Sequence, residues 1–485
     1  MTGARPLVIV GGGPAGMAAA IEAGRAGLVC TLLDEAPRLG GQIYRQPPEH
    51  FQVTDACALG KDFVRGEQLR AELKTFADRI EVISGTSVLG IWRGREILWA
   101  SHGTSGIIEA ERLIFATGAY ERPVPFPGWT LPGVMTAGGM QTIIKTMQVR
   151  PGRRALVAGT GPLILSAASR LLEIGVDVVA VLEAGRPLRL SAPPVKEGRE
   201  SGFAEDTGAH EQRLRQAGIP LLFNHTVFGV YGKSAVERAS YGPVDPDSWR
   251  PHKELAQSAE IDLMILGFGF VPNTELTELA GCRHQYVAPE GGWVPVRDAM
   301  MQTTVPGVFA VGDGAGIRGA LASMEEGRVA GITAAEQAGV IRATDAANKR
   351  ETPLALLRSL SQAKEAYDGA FQIQSGLLDL IDPDTLLCRC EEITLGEVRA
   401  ALDQGARDLQ AVKLLTRLGM GPCQGRNCAP SAGMYLCQMT GCTPEQTGRI
   451  SPRPPVRPVT LGTLAYAEQI PRAAGSDSLD AGGAS

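Results

Sequence analysis

A strand–turn–helix pattern with glycines at fixed spacing constrains the fold of this chain more than any other feature. Residues 7–10 are L-V-I-V, an apolar strand, and residues 11–16 are G-G-G-P-A-G before an alanine-rich helix. This is G-x-G-x-x-G in the context that gives it meaning. The first glycine allows a tight turn, the second lets the backbone approach a pyrophosphate, and the third lets helix and strand pack closely. The predicted contacts are Gly11, Gly13, Pro14, Ala15 and Gly16.

Two acidic residues follow the next apolar strand, residues 29–33. A carboxylate at this place accepts hydrogen bonds from ribose hydroxyls and repels a 2′-phosphate. Asp34 follows the strand directly and is our first choice for this role, with Glu35 second.

Three later features favour FAD over NAD in this first fold. A G-G-Q turn lies at residues 40–42, a strand closes on A-T-G at residues 116–118, and another strand ends on G-D at residues 312–313. Each alone could be a turn or a helix cap. Together, in this order, they resemble the two-dinucleotide-binding-domain flavoproteins, the class of glutathione and thioredoxin reductases. The added FAD contacts are Gly41, Gln42, Thr117, Gly118, Gly312 and Asp313.

A second strand–turn–helix begins at residue 154, with G-T-G-P-L-I at residues 159–164. Ile164 fills the third glycine position, and we expect its branched side chain to hold the helix away from the strand. The next strand ends on Glu183, which disfavours NADP. Three states stay open: NAD(H) as hydride donor, an adenine nucleotide with a structural role, or an empty site. The contacts to test are Gly159, Gly161 and Glu183.

Four cysteines near the C-terminus form a C-x-C pair, a gap of thirty-two residues, and a C-x-x-x-x-C pair. Four thiolates in two groups suit a [2Fe–2S] cluster. Structural zinc is the main competitor, but zinc pairs usually have two to four residues between cysteines. Plain buried thiols are the third alternative. The predicted metal ligands are Cys388, Cys390, Cys423 and Cys428.

The segments around these cysteines are predicted to be helical. Apolar spacing indicates helix over about residues 335–380, and Thr394 with Glu397 forms a capping-box pattern. Residues 386–441 resemble the bacterioferritin-associated-ferredoxin type of [2Fe–2S] domain. The proline-rich residues after 450 are either a disordered tail or a strap on the protein or a partner, and residues from 474 onward are expected to fray.

Composition excludes some classes of function. A formal charge of −5 gives no reason to expect nucleic-acid binding. The start of the chain does not resemble a signal peptide, and nine scattered or clustered cysteines fit a reducing compartment. We therefore expect a cytoplasmic protein, which a complex could attach to the inner face of the cell membrane. No cysteine pair stands where disulfide reductases of the class carry one, and no catalytic residue is assigned.

Nearly the whole chain resembles the A (α) subunits of opine oxidases, the related hydroxyproline and proline dehydrogenase α subunits, and the B subunit of hydrogen cyanide synthase. The resemblance rests on D-E-A-P at residues 34–37, G-G-Q-I-Y-R at 40–45, T-G-A-Y-E-R-P at 117–123 and the cluster cysteines. It implies an α/β two-dinucleotide-binding-domain flavoprotein with a small α-rich [2Fe–2S] domain. The expected segments are an FAD domain at 1–150 and 276–340, an inserted NAD-like domain at 151–275, a helical linker at 341–384, a cluster domain at 385–445 and an arm at 446–485.

The resemblance also implies a function. Proteins of this kind belong to a multisubunit dehydrogenase that oxidises a C–N bond of an amino acid or opine and relays electrons towards a respiratory acceptor. The implied partner is an FAD-dependent amino-acid-oxidase-like β subunit, and a small [2Fe–2S] subunit is a further candidate. The alternatives are a self-sufficient NADH-dependent reductase and a redox-inactive scaffold.

Overall fold

The computed structural model of the chain describes residues 4–93, 95–187, 202–365 and 369–465. The strands are β1 Val8–Val10, β2 Cys30–Leu33, β3 Ile80–Ile83, β4 Thr86–Trp92, β5 Glu96–Ser101, β6 Thr104–Glu109, β7 Leu113–Phe115, β8 Ala119–Glu121, β9 Val134–Thr136, β10 Arg154–Gly159, β11 Asp177–Glu183, β12 Leu221–Phe223, β13 His225–Tyr231, β14 Arg238–Pro243, β15 Gln257–Glu260, β16 Leu263–Gly267, β17 Phe270–Pro272, β18 His284–Val287, β19 Gly292–Pro295, β20 Val308–Ala310, β21 Leu386–Cys388 and β22 Ile393–Thr394. The helices are α1 Pro14–Ala26, α2 Lys61–Lys74, α3 Ala137–Lys145, α4 Pro162–Glu173, α5 Gly202–Gln216, α6 Glu275–Leu279, α7 Ala320–Gln337, α8 Ala343–Glu365, α9 Leu395–Asp403, α10 Leu409–Thr416, α11 Ala429–Thr440, α12 Pro444–Thr447 and α13 Leu461–Ala465.

The first nucleotide-binding domain is built on a five-stranded sheet of order β20-β7-β1-β2-β3, in which every pair is parallel. Helices α1 and α7 pack closely against each other at two glycines of α7. A Cβ on Gly327 of α7 would strike the carbonyl oxygen of Ala15, and one on Gly331 would strike that of Ala19. Because the strands are parallel, the turns after β1, β2, β7 and β20 all meet at the carboxyl edge of the sheet.

The second nucleotide-binding domain repeats this plan in a parallel sheet of order β12-β11-β10-β16-β9. The antiparallel pair β8 and β17 carries the chain out of the first domain and back. The predicted α/β class with an inserted second dinucleotide-binding fold is thus confirmed. Ile164 lies fully buried in this domain. Gly267 at the end of β16 has no side chain and so makes room for Ile164; an added Cβ at Gly267 would lie 2.7 Å from Ile164 Cγ2.

The linker differs from the prediction of continuous helical pattern over residues 335–380. Helix α7 ends at Gln337, and Gly339 follows with a left-handed φ of 72° before α8 begins at Ala343. Residues 369–374 have no regular structure, and residues 375–380 form a short 3-10 helix. The apolar spacing continues across these breaks, but glycine conformation and tertiary packing end the helices. Tyr367, which belongs to the predicted helical stretch, lies outside the described residues.

The cysteine domain, residues 386–447, is a β21–β22 hairpin with helices α9 to α12 around one apolar core. Thr394 caps α9 and forms the predicted capping box with Glu397. The core is made largely of buried side chains from the three longer helices, including Val398, Leu402, Val412 and Leu436. The predicted small, mainly helical C-terminal unit is confirmed.

The C-terminal arm, residues 451–465, is a strap on the first nucleotide-binding domain. The buried Val456 donates its N–H to the Leu89 carbonyl over 2.8 Å, and the Ser105 hydroxyl donates to the Thr463 carbonyl over 2.6 Å. The residues from 474 onward, which are expected to fray, lie outside the described part. Among the described residues, none of the helices combines the length and the apolar character that crossing a membrane requires.

Candidate functional site

The first glycine turn leaves its backbone open where a phosphate would approach. A Cβ on Gly11 would strike the Ala116 carbonyl oxygen, and one on Gly16 would strike that of Gly11, so both positions require glycine. At Gly13, by contrast, an added Cβ would find only Gly41 Cα, at 3.7 Å, among the described residues. Helix α1 begins here with Gly13 as its N-cap, which directs backbone N–H groups and the positive end of its dipole into the opening.

Asp34 lies at the end of β2, beside this turn. Its carboxylate accepts the Gly12 N–H on one oxygen and the Ala36 N–H, over 2.7 Å, on the other. Burial raises the pKa of Asp34, and the two backbone hydrogen bonds oppose that rise. Each carboxylate oxygen keeps further acceptor capacity for a ribose hydroxyl. Glu35 is instead mostly exposed and forms an ion pair with Arg457 of the C-terminal arm over 3.3 Å.

The G-G-Q turn closes over the first turn. Gly40 donates its N–H to the Gly12 carbonyl over 2.9 Å, and a Cβ on Gly41 would lie 2.8 Å from Gly13 Cα. Gln42 is exposed, and its side-chain carbonyl accepts a hydrogen bond from Arg45 over 2.8 Å. A side chain at residue 41 would therefore collide with the first turn, so this position requires glycine.

The remaining predicted contacts lie along the same edge of the sheet. Thr117 donates its hydroxyl to the Asn273 carbonyl over 2.7 Å, and Asn273 returns its N–H to the Gly118 carbonyl over 2.9 Å. Asp313 accepts the N–H groups of Arg318 and Gly319 over 2.9 and 3.0 Å, just before α7 begins. Burial raises the pKa of Asp313, opposed by these two bonds.

Sequence reasoning missed the buried ion pair that supports this edge. Glu326, 1 % exposed, accepts the Gly312 N–H over 2.8 Å and pairs with Arg297 over 2.6 Å. No spacing signal relates these positions, because the partners come from different elements. With open glycine backbone, a carboxylate at β2 and a rigid edge, the residues present fit an adenine dinucleotide.

The second glycine turn also has a carboxylate at the end of its second strand. Glu183 accepts the N–H groups of Gly161 and Gly185, each over 2.8 Å. A Cβ on Gly159 would strike the Gly267 carbonyl oxygen, so that position also requires glycine. Two arginines after β11 were candidates for holding a 2′-phosphate: Arg186 pairs with Asp247 over 2.7 Å, and Arg189 lies outside the described residues.

The four predicted metal ligands come together in the cysteine domain. Cys388 and Cys428 are buried and share a hydrogen bond, while Cys390 is exposed and contacts the half-buried Cys423. The Cys428 thiol lowers the pKa of Cys388 to about 5, and the same contact with burial raises that of Cys428. Within the described residues, no three His, Cys, Asp or Glu side chains are arranged to hold one metal ion. The contacting sulfurs are Cys388 with Cys428 and Cys390 with Cys423.

Backbone groups surround these sulfurs closely. Cys428 is the N-cap of α11. Peptide N–H groups of Glu391 and Gly419 point to the Cys388 sulfur, and that of Cys423 points to Cys390. A Cβ on Gly421 would strike the Cβ of Cys390, so the two loops meet at bare backbone.

The cysteine loop is docked on the first nucleotide-binding domain by a contact that sequence reasoning missed. Arg426, between Cys423 and Cys428, pairs with Glu275 over 2.7 Å and donates to the Cys423 carbonyl over 3.2 Å. Glu275 follows two residues after Asn273, which holds the Gly118 turn. The predicted cluster ligands therefore lie next to the predicted nucleotide cleft.

Arg449 makes a second ion pair across this boundary, with Glu278 of α6. Half-buried Tyr120 lies beside the Arg426–Glu275 pair, and its pKa is raised first by desolvation and then by the Glu275 carboxylate, with the Cys423 sulfur also close enough to act on it. Two partly buried ion pairs therefore span the boundary between the cysteine domain and α6.

Comparison with known proteins matches residues 5–339 to the pyridine nucleotide-disulphide oxidoreductase family and residues 384–468 to the sarcosine oxidase A3 domain. The HcnB subunit of hydrogen cyanide synthase from Pseudomonas aeruginosa is 35 % identical over 94 % of this chain and 97 % of its own. The opine oxidase A subunit of Agrobacterium tumefaciens is 31 % identical over 98 % and 95 %.

The crystal structure of L-proline dehydrogenase from P. horikoshii shares the fold, with a TM-score of 0.67 at 22 % identity over 94 % of this chain and 78 % of that one. These matches confirm the resemblance inferred from the motifs. The chain is an oxidoreductase of the pyridine nucleotide-disulphide oxidoreductase family, in the group that contains the HcnB subunit of hydrogen cyanide synthase and the opine oxidase A subunit.

Proposed function

We propose that this chain is the FAD- and [2Fe–2S]-containing α subunit of a multisubunit dehydrogenase that oxidises a C–N bond of an amino acid or opine. The observation that carries the proposal is the docking of the cysteine loop beside the first nucleotide cleft through Arg426 and Glu275. Relatives that align over almost their whole length are named as subunits of opine oxidase and hydrogen cyanide synthase, which supports a role within a complex.

The first domain is proposed to hold FAD. The open backbone at Gly13 suits the pyrophosphate, Asp34 suits the adenosine ribose, and the turns at Gly118 and Asp313 suit the flavin half. The chain's own contribution there is to orient the cofactor and to close the boundary with the cysteine domain.

The cysteine domain is proposed to hold a [2Fe–2S] cluster. Two sulfur pairs, Cys388 with Cys428 and Cys390 with Cys423, suit a binuclear cluster in which each iron takes two thiolates. Backbone N–H groups aimed at the sulfurs are the kind of neighbour that tunes reduction potential. When bound, FAD would supply two-electron chemistry and the cluster one-electron chemistry.

Electrons are proposed to reach this chain from an FAD-dependent amino-acid-oxidase-like β subunit. A small [2Fe–2S] subunit is a further proposed component, and a respiratory acceptor stands at the end. Exposed Cys390 and three exposed apolar side chains belong to the same domain. That arrangement leaves one edge of the cysteine site accessible to a redox partner. The apolar side chains are Leu414, Leu415 and Met420.

The proposal is tested by anaerobic purification of the chain with its complex. We expect FAD in the acid-released extract, about two iron and two sulfide per chain, and a reduced-cluster spin-resonance signal after substrate addition. Colourless protein, an adenine nucleotide without flavin, or zinc in place of iron would each contradict part of it. NADH oxidation by the isolated chain would instead support the self-sufficient reductase.

A further inference from the structure

The second nucleotide-binding turn is covered by a residue of the chain itself. In a working fold of this kind, the second glycine is bare because the pyrophosphate approaches its backbone. Here a Cβ on Gly161 would lie 3.5 Å from Cδ1 and 3.6 Å from Cγ of Phe371. The half-buried Phe371 ring therefore covers the face of Gly161 from which a Cβ would project, at van der Waals distance from that Cβ.

The ribose side of the same turn is engaged as well. The Ala370 carbonyl oxygen would lie 3.3 Å from a Cβ on Gly185, two residues after Glu183. The Glu183 carboxylate already takes the N–H groups of Gly161 and Gly185. A nucleotide entering here would have to displace the 369–371 segment and compete for these groups.

The first turn offers an internal comparison. At Gly13, the counterpart of Gly161, no described side chain lies within 4 Å of an added Cβ. Asp34 binds the N–H of Gly12, between the two glycines, and so does not take that of Gly13. In the first copy the group facing this glycine is the Gly41 backbone, with Cα at 3.7 Å from the added Cβ, whereas in the second copy it is an aromatic ring.

The covering segment is held firmly by the residues that follow it. Gly376 donates its N–H to the Ser248 carbonyl over 3.1 Å, and Asp379 pairs with Arg250 over 2.9 Å. Leu377 and Leu380 are buried in the core of the second domain. These contacts fix the direction of the chain across the mouth of the turn.

We propose that Phe371 is a built-in occupant of the second dinucleotide site. The wild-type chain then does not bind NAD(H) at Gly161, and removing the ring opens a site for an adenine dinucleotide without a 2′-phosphate, since Glu183 repels one. Of the three states that the sequence left open, this is the site without nucleotide. The proposal does not depend on FAD or the cluster in the other domains.

Calorimetric titration of the full chain with NADH tests it. We expect F371G to bind NADH at least about tenfold more tightly than wild type, equal to about 1.4 kcal/mol. Q372A is the matched control, because Gln372 is an exposed neighbour and the ring stays in place. NADPH is expected to show no such gain, and adding E183A to F371G is expected to abolish it, which assigns the binding to this site.

Two results would overturn the proposal: wild type binding NADH as tightly as F371G, or F371G binding no better than Q372A. A melting curve shows whether F371G folds, and F371S is the milder replacement if it does not. Hydrogen exchange of wild type gives a further measurement. Amides of residues 369–374 are expected to exchange equally with and without millimolar NADH, and faster exchange with NADH would mean that the segment is displaced.

Discussion

Replacing Arg426 by methionine tests whether the cysteine loop is held on the first domain by charge. The guanidinium and the Glu275 carboxylate are 2.7 Å apart, and their side chains are only 13 % and 17 % exposed. Burial lowers the pKa of Arg426, and the Glu275 charge opposes this. Methionine has a similar length but carries neither charge nor N–H groups, so R426M leaves Glu275 and the Cys423 and Val456 carbonyls without this donor.

Removing one partner of a fully buried ion pair costs about 3–5 kcal/mol. The remaining exposure places R426M at the lower end, so we expect a loss of about 3 kcal/mol in the free energy of unfolding. The double variant R426M/E275M is expected to recover about half of that loss, because it also removes the stranded carboxylate.

Denaturant unfolding of the full chain near neutral pH measures these differences, and hydrogen exchange of residues 273–279 reports whether the boundary itself has loosened. R417M is the matched control. Arg417 also pairs with a glutamate of the cysteine domain, Glu391, over 2.9 Å, but its side chain is 69 % exposed. Such a surface pair contributes about 0.5 kcal/mol. If R426M costs no more than R417M, the ion pair does not hold the loop and our reasoning about the boundary is wrong.

Three further predictions concern the cysteine site, the helix contact and pH. C390S is expected to lose most of the iron and visible absorption of the purified protein, whereas C437S keeps both; equal iron in the two variants would argue against Cys390 as a ligand. G327A is expected to lower the melting temperature, because its Cβ would strike the Ala15 carbonyl and overpacking of this kind costs about 1–3 kcal/mol; an unchanged melting curve would contradict this. Burial lowers the pKa of His284 from 6.5 to about 3 in the folded chain. Because the unfolded chain therefore takes up this proton at a higher pH, the free energy of unfolding falls as pH drops from 6.5 towards 3, by about 1.4 kcal/mol per pH unit. H284Q is expected to flatten this part of the stability–pH curve, and identical curves for H284Q and wild type would refute the prediction.

The features that the sequence predicted well are local ones. The glycine turn at residues 11–16 and the capping box of Thr394 with Glu397 each depend on a few neighbouring residues, so their spacing is enough to identify them. The four cysteines lie in two contacting pairs within one domain, as their spacing in the sequence suggested. Their binding of a cluster stays a prediction, as do the FAD contacts and the domain limits.

The features that were missed depend on residues far apart in the chain. Glu275 and Arg426 are paired by the packing of two domains, which no spacing records. Phe371 lies over Gly161 only because the segment after α8 crosses the second domain. The continuous helical pattern over 335–380 was wrong because apolar periodicity persists through Gly339, where the backbone turns left-handed.

The segments that precede and follow the cysteine domain are both packed on the nucleotide-binding domains. Before it, the 3-10 helix of residues 375–380 buries Leu377 and Leu380 in the second domain and Leu378 in the cysteine domain itself. After it, the arm is fastened to the first domain through Val456. A unit tied down at its two ends cannot swing between donor and acceptor like a carrier on a hinge. Any exchange with another polypeptide must therefore take place by that polypeptide coming to this fixed surface.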